Sequence, residues 1–238
     1  MNGNNHLVYH MKKLIVSVVF TEPVLGSLNN NVNVFTEFTA SKAPTPEKKV
    51  EEVKTIAGEM TPEEIEEQVE KQTTVFPKQD GKCFCYDYQW RGFFKEALAV
   101  GTEIGEEAMG KLSKWTIRKT VDSMIFVAER RIFFVDANGN PITTVQQLER
   151  PLRAMTQRGE RICLARSEII PAGTTLQFTL MWFASKNTKS TQAVTQDALV
   201  WALDYGALKG FGQWRGGGYG RFSYTLKEVS EVAEKAAA

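Results

Sequence analysis

Histidine is nearly missing from this chain: among 238 residues only His6 and His10 occur. Both precede the first long apolar run, so the body of the chain offers no imidazole to serve as a general acid or base. Cysteine is scarce as well. Cys83, Cys85 and Cys163 cannot make a disulfide framework, and a C-x-C pair with no further Cys or His nearby is not a zinc-ligand spacing; reduced, structural thiols are expected, with no metal and no other cofactor. No apolar run approaches the ~20 residues needed to span a bilayer. Residues 14–20, which follow Met11-Lys12-Lys13, are too short for a signal peptide, lack a small-residue cleavage site and end in Thr21-Glu22-Pro23. A cytoplasmic location without a membrane partner is therefore expected. Finally, no one sign of charge prevails. Lys and Arg number 29 against 28 Asp and Glu, a net charge of +1, so any nucleic-acid binding has to come from charge segregated within the chain.

That segregation is present. Residues 47–70 are strongly acidic, whereas Arg150, Arg153, Arg158, Arg161 and Arg166 form a basic run relieved by Glu149, Glu160 and Glu168. Length allows one large domain with an insertion. Residues 1–11 read as a flexible leader, 12–228 as a single domain with an insertion at about 42–80, and 229–238 as a tail. Residues 14–20 are β-branched and apolar at successive positions, the pattern of a central strand covered on both sides. A short helix is the most that residues 34–41 suggest. The acidic stretch 47–71 breaks into two helices, the second opened by Thr61-Pro62-Glu63-Glu64.

Residues 84–88 form a short β-prone run. From Gln89 to position 100, Trp90, Phe93, Phe94, Ala97 and Leu98 recur at helical spacing, with Asp87 as the capping residue and Arg91 and Lys95 sharing one face. A further helix is predicted over 106–119 and a strand over 124–135, followed by the Asn138-Gly139-Asn140-Pro141 turn of a hairpin. Strands at 161–170 and 174–184, joined by Pro171-Ala172-Gly173, suggest a second hairpin. A helix over 195–205 and a strand over 219–226 complete the order strand, helix, strand, strand, helix, strand. This is a ferredoxin-like, RRM-like α+β arrangement: an antiparallel sheet with helices on one face and the other face free as a nucleic-acid platform.

The densest signal lies before the last strand. In Lys209-Gly210-Phe211-Gly212-Gln213-Trp214-Arg215-Gly216-Gly217-Gly218-Tyr219-Gly220-Arg221-Phe222, glycines alternate with aromatics and guanidinium groups. Gly210, Gly212, Gly216, Gly217, Gly218 and Gly220 allow positive φ and close approach to the main chain, and arginine offers a donor fork suited to phosphate. Trp214, Tyr219 and Phe222 are candidate stacking surfaces for bases, and Trp214 could equally anchor the loop to the core.

A helix, then a loop of the form G-x-G-x-W-R-G-G-G-Y-G-R-F, then a closing strand resembles the C-terminal signature of the RAMP superfamily of CRISPR-associated proteins. The resemblance extends to Glu22-Pro23-Val24-Leu25-Gly26-Ser27, to Tyr88-Gln89-Trp90-Arg91-Gly92-Phe93-Phe94-Lys95 and to Ile170-Pro171-Ala172-Gly173-Thr174. Together with Phe38, Ala40-Ser41-Lys42-Ala43-Pro44, Arg150-Pro151-Leu152-Arg153-Ala154 and Gly159-Glu160-Arg161, the pattern is similar to a RAMP-like family met in phages and prophages. The acidic region and the middle hairpin are not explained by it. The resemblance implies a modified RRM-like fold that binds RNA, often as repeated subunits along a guide RNA, with some members cutting precursor RNA by a histidine.

The expected function is a noncatalytic binder of RNA or single-stranded nucleic acid, encoded by a phage or mobile element and assembling into a homo-oligomer or filament. Its contacts would be Arg91, Lys95, Arg153, Arg158, Arg161, Lys209, Gln213, Trp214, Arg215, Tyr219 and Arg221. No catalytic residue is assigned: the two histidines are badly placed, and no aspartate lies in residues 21–46, the loop where target-cutting relatives would carry one. Two alternatives stand beside this reading. One is a protein-interaction module, a subunit mimic that docks on a CRISPR-like or host defence complex through its acidic insertion; the other is a RAMP-type endoribonuclease.

Overall fold

A computed structural model describes residues 11–29, 73–156, 159–183 and 194–229, with the backbone alone over 152–164. In chain order its strands are β1 (Met11–Phe20), β2 (Val24–Leu25), β3 (Leu28–Asn29), β4 (Thr73–Val75), β5 (Lys78–Gln79) and β6 (Lys82–Tyr86). Helix α1 (Asp87–Ile104), a 3-10 turn (Glu107–Met109) and α2 (Ile117–Met124) lead to β7 (Ile125–Val127), β8 (Arg131–Phe133), β9 (Gln146–Thr156), β10 (Gly159–Ile170) and β11 (Thr175–Phe183). Helix α3 (Gln196–Lys209), a 3-10 turn (Arg215–Gly217) and β12 (Phe222–Val229) close the chain. Of the expected leader and tail, only Met11 and Val229 are described, as the first residue of β1 and the last of β12; the short helix at 34–41 and the acidic helices at 47–71 lie outside the described residues, and of the expected insertion only 73–80 falls inside them, carrying β4 and β5.

The centre of the fold follows from the alternation in β1. Leu14, Val16, Val18 and Phe20 are buried, each worth about 1.5–3 kcal/mol of transfer free energy. β1 lies between β12 and β11, and β7 flanks β11, giving the antiparallel order β12-β1-β11-β7. With α1 between β1 and β7, and α3 between β11 and β12, this is the ferredoxin-like α+β arrangement the order of elements predicts. Both helices cover the face formed by the inward residues of β1 and by Leu176, Phe178, Leu180 and Trp182 of β11. The expectation that β1 is covered on both sides is overturned: Lys13, Ile15 and Ser17 are only partly buried and Val19 is 40% exposed. The open face carries Gln177 and Thr179 beside them, and its rings, Phe126 and Phe183, sit at the β7 end.

Helix α1 starts two residues earlier than its apolar spacing suggests. Tyr86, not Asp87, is the N-cap, its N–H donated to Gln89 Oε1 at 2.8 Å. Asp87 is the first helical residue and its carboxylate is taken up by Arg130. α1 ends at Gly105, whose left-handed conformation lets its N–H close on the Gly101 carbonyl. Thr195 caps α3 by accepting the Ala198 N–H at 3.1 Å. The helix expected over 106–119 is instead the 3-10 turn, interrupted at Gly110 (φ 56), with α2 following.

Two strand expectations also change. Residues 124–135 split into β7 and β8, which join different sheets, because Glu129 turns back to accept both the N–H (2.7 Å) and the hydroxyl (2.8 Å) of Thr179. The turn at 136–140 does form, held by Asp136 and a Val135–Pro141 bridge. β10 and β11 do not make a hairpin. Pro171-Ala172-Gly173 passes the chain from one sheet to another: β10 pairs with β9 along almost its whole length, antiparallel to β2 on its other side, and in parallel with β4. Pro151, in β9, is tolerated because among the described residues β9 pairs on one side only. Glu168 fastens this sheet to the chain that leaves β4 for β5, accepting the Phe76 N–H and the Lys78 ammonium, each at 2.7 Å. In β6, Cys83 and Cys85 face the main core while Phe84 and Tyr86 join Leu28, Tyr88 and Phe133 in a second cluster.

Candidate nucleic-acid interface

The glycine-rich loop between α3 and β12 is pinned at its base and open at its tip. Phe211 inserts into the core, stacked on Trp90 with ring centres 4.4 Å apart. Its N–H donates to the Gly220 carbonyl at 2.8 Å, and the Gly220 N–H donates to the Pro23 carbonyl at 2.8 Å. Gly220 (φ 71) has to be glycine, since a Cβ there would stand inside the Phe211 carbonyl; at Gly212 (φ 85) a Cβ would lie 2.8 Å from the Leu25 carbonyl oxygen. Gly210 and Gly218 also have positive φ, and Gly216 and Gly217 make up most of the 3-10 turn at the tip.

Trp214 is the pivot. It adopts a left-handed conformation (φ 51, ψ 40) that few non-glycine residues take, and its indole is 42% exposed. One side stacks on Tyr219, with ring centres 5.2 Å apart and planes 21° from parallel. The Arg150 guanidinium carbon lies 4.5 Å from the ring centre. Trp214 is thus packed against an arginine rather than plugged into the core; Phe211 is the anchor, and Phe222, expected as a third stacking surface, is instead buried among Phe20, Trp90 and Phe93.

Arg150 comes from β9. It is 7% exposed, donates from Nη1 to Ser167 Oγ at 3.2 Å, and its buried Nε has no partner among the described residues. Desolvation holds its pKa below the usual arginine range, opposed by Tyr219. Among the described residues no carboxylate pairs with it. Ser167 and Thr74, side by side on β10 and β4, both reach Gln213 Oε1, at 3.2 and 2.7 Å. Gln213 is thereby tied to the second sheet, and the loop is aligned over Arg150. The sequence marks Arg150 as part of a basic run; only the β9–β10 register, which sets Arg150 opposite Ala165 and diagonal to Ser167, reveals its place under the loop.

The other expected contacts are distributed unevenly. Lys209, at the end of α3, and Arg221, just before β12, are exposed at the two ends of the loop. Arg215 reaches back to Glu96 on α1 at 2.8 Å. Arg91 faces Asp87 at 3.8 Å, and Lys95 pairs with Asp122. Arg153 and Arg161 lie on β9 and β10 at the far end of the hairpin from Arg150's neighbour Ser167; their side chains, and all of Arg158, lie outside the described residues. Loop and α1 enclose an open cleft of about 220 Å³, lined among others by Ser27, Gln89, Gly92, Glu96 and Arg215. Among the described residues no group of three His, Cys, Asp or Glu side chains could hold a metal ion, and no helix is long and apolar enough to cross a membrane.

No family model and no curated protein matches the chain. Solved structures do. One is a chain of the type III-B Cmr-beta complex bound to cognate target RNA, at 7% identity and a TM-score of 0.41, covering 92% of this chain and 61% of that one. Another belongs to a type IV-B CRISPR complex, at 11% identity and a TM-score of 0.43, covering 95% of each chain. The chain therefore spans less than two thirds of the first of these.

Proposed function

We propose that the chain is a noncatalytic binder of single-stranded nucleic acid, RNA in the first instance, working as a RAMP-type subunit through the face of its glycine-rich loop. The observation that carries this reading is Arg150, a buried guanidinium with no carboxylate partner among the described residues, packed against the ring of a half-exposed tryptophan. A buried charge without a counter-charge is costly. A phosphate drawn to the loop supplies that counter-charge, while bases stack on the Trp214–Tyr219 pair. Lys209 and Arg221 extend the cationic track at either end. Arg91, Lys95 and Arg215 contribute less, because each already faces a carboxylate.

The noncatalytic part of the proposal rests on the sequence, whose only imidazoles are His6 and His10. Assembly of copies rests on the resemblance to RAMP subunits, a phage or mobile-element origin on the wider pattern that takes in Phe38, residues 40–44, 150–154 and 159–161, and docking on CRISPR-like or host defence proteins on the acidic stretch 47–70. Fluorescence anisotropy with a labelled single-stranded RNA tests the reading. Affinity should fall with salt, with a slope of roughly −0.7 per phosphate neutralised, and Arg150→Met and Arg221→Ala should each flatten it. Unchanged slopes in both variants would place the binding surface elsewhere.

A further inference from the structure

The cleft between α1 and the glycine loop has features that the loop's phosphate-binding reading does not use. Gly92 is an interior residue of α1, where glycine weakens a helix relative to alanine. Gly101 and Gly206, the buried glycines of the described helices, have packing reasons: a Cβ at Gly101 would meet Trp201 and Met109, and one at Gly206 would meet Phe93. At Gly92 a Cβ would meet nothing within 4 Å. Gly92 is exposed, so it leaves bare helix backbone at the mouth of the cleft, where packing does not require a glycine.

The walls of that space define what fits. Its floor includes Phe93 and Phe211, both nearly buried, with Phe211 fixed by its stack on Trp90. Its rim carries two polar pairs: Gln89 Nε2 donating to Ser27 Oγ at 2.8 Å, and Arg215 Nη1 on Glu96 Oε2 at 2.8 Å. The Glu96 carboxylate already neutralises Arg215, so the cleft presents no net charge from that pair and repels phosphate at the carboxylate. At about 220 Å³ it is smaller than the roughly 300–1,000 Å³ of most small-molecule sites. A neutral, flat heterocycle with adjacent donors and an acceptor matches this set.

We infer that the cleft is a slot for one splayed-out nucleobase of the bound strand, and that the base it selects is guanine. The inference rests on the proposal that the chain binds single-stranded nucleic acid. Guanine alone among the common bases offers two parallel N–H donors, N1 and N2, to the Glu96 carboxylate, with O6 beside them for Arg215. The ring lies across the bare backbone at Gly92, over Phe93 and Phe211.

The test compares labelled oligouridylates of equal length, one all uridine and the others with a single central guanine, adenine or cytosine, by anisotropy at low salt. The guanine oligonucleotide should bind about tenfold tighter than the rest. Gly92→Ala should abolish that increment and leave all-uridine binding intact, while raising the melting temperature by roughly 2–4 °C, because the added methyl meets open space and favours the helix. Glu96→Gln should likewise remove the guanine preference. Equal affinity for all four oligonucleotides in the wild-type protein, or a uniform loss for all four in Gly92→Ala, overturns the slot but leaves nucleic-acid binding standing. No binding to any of them overturns the proposed function and the slot together.

Discussion

The contact between Arg150 and Trp214 makes a quantitative prediction that needs no ligand. Cation–π pairs range from ~0.5–1 kcal/mol when exposed to ~2 kcal/mol when desolvated. Here the guanidinium carbon is 4.5 Å from the ring centre and Arg150 is 7% exposed, which puts the pair near the upper limit. A double-mutant cycle with Arg150→Met and Trp214→Leu isolates it. The loss of the Trp214–Tyr219 stack and the left-handed backbone at position 214 enter both arms and cancel. Urea unfolding of the four proteins should give a coupling of about 1–2 kcal/mol. Arg150→Met alone should cost less than ~2 kcal/mol, because the loss of this contact and of one bond to Ser167 is offset by relief of a buried charge that no carboxylate among the described residues neutralises. A coupling below ~0.3 kcal/mol would refute the stack. A cost above ~3 kcal/mol for Arg150→Met would mean that a buried carboxylate had been left behind, contradicting the anion-seeking role.

Three further outcomes follow from the packing. Gly220→Ala combines a strained positive φ with a Cβ inside the Phe211 carbonyl, so it should destabilise by more than ~2 kcal/mol in urea melts, whereas Gly216→Ala, with nothing within 4 Å, should stay within about 1 kcal/mol. The Tyr224 phenol donates to Asp204 and is partly desolvated, and desolvation, then that hydrogen bond, raises its pKa. A phenol held protonated in the folded state stabilises fully below the ordinary tyrosine pKa of about 10 and loses that stabilisation as pH climbs above it. The urea midpoint of wild type should therefore drop more between pH 9 and 11 than that of Tyr224→Phe. Burial pushes the Cys85 thiol far above its usual range, and Cys83 is buried beside it; mapped alkylation should find both unreactive in the folded protein and reactive in guanidinium chloride.

The elements that were legible in the sequence are those whose partners hardly matter. Trp90, Phe93, Phe94, Ala97 and Leu98 declare a helix whatever they pack against, and Leu14 to Phe20 declare a strand. What failed depended on non-local pairing. Pro171-Ala172-Gly173 reads as a hairpin turn, but β10 finds β9, a strand whose arginines and Pro151 look like a solvated run. Residues 124–135 look continuous until Glu129 is pulled out by Thr179. The same limit applies at the candidate site. Trp214, Tyr219 and the loop glycines stand out by composition, whereas Arg150 acquires its place only through the β9–β10 register and the tie between Gln213 and Ser167. Gly92 sits in plain view between Arg91 and Phe93, but that its missing side chain faces open space is a property of the fold.

Everything proposed above depends on the loop face binding single-stranded nucleic acid without cutting it. It is tested most directly by titrating the protein against a labelled single-stranded RNA across a salt series, with the RNA then run on a denaturing gel. Binding should weaken linearly in log–log salt, the slope should be lower for Arg150→Met, and the RNA should be recovered at full length. No affinity at low salt, or shortened RNA, would contradict it.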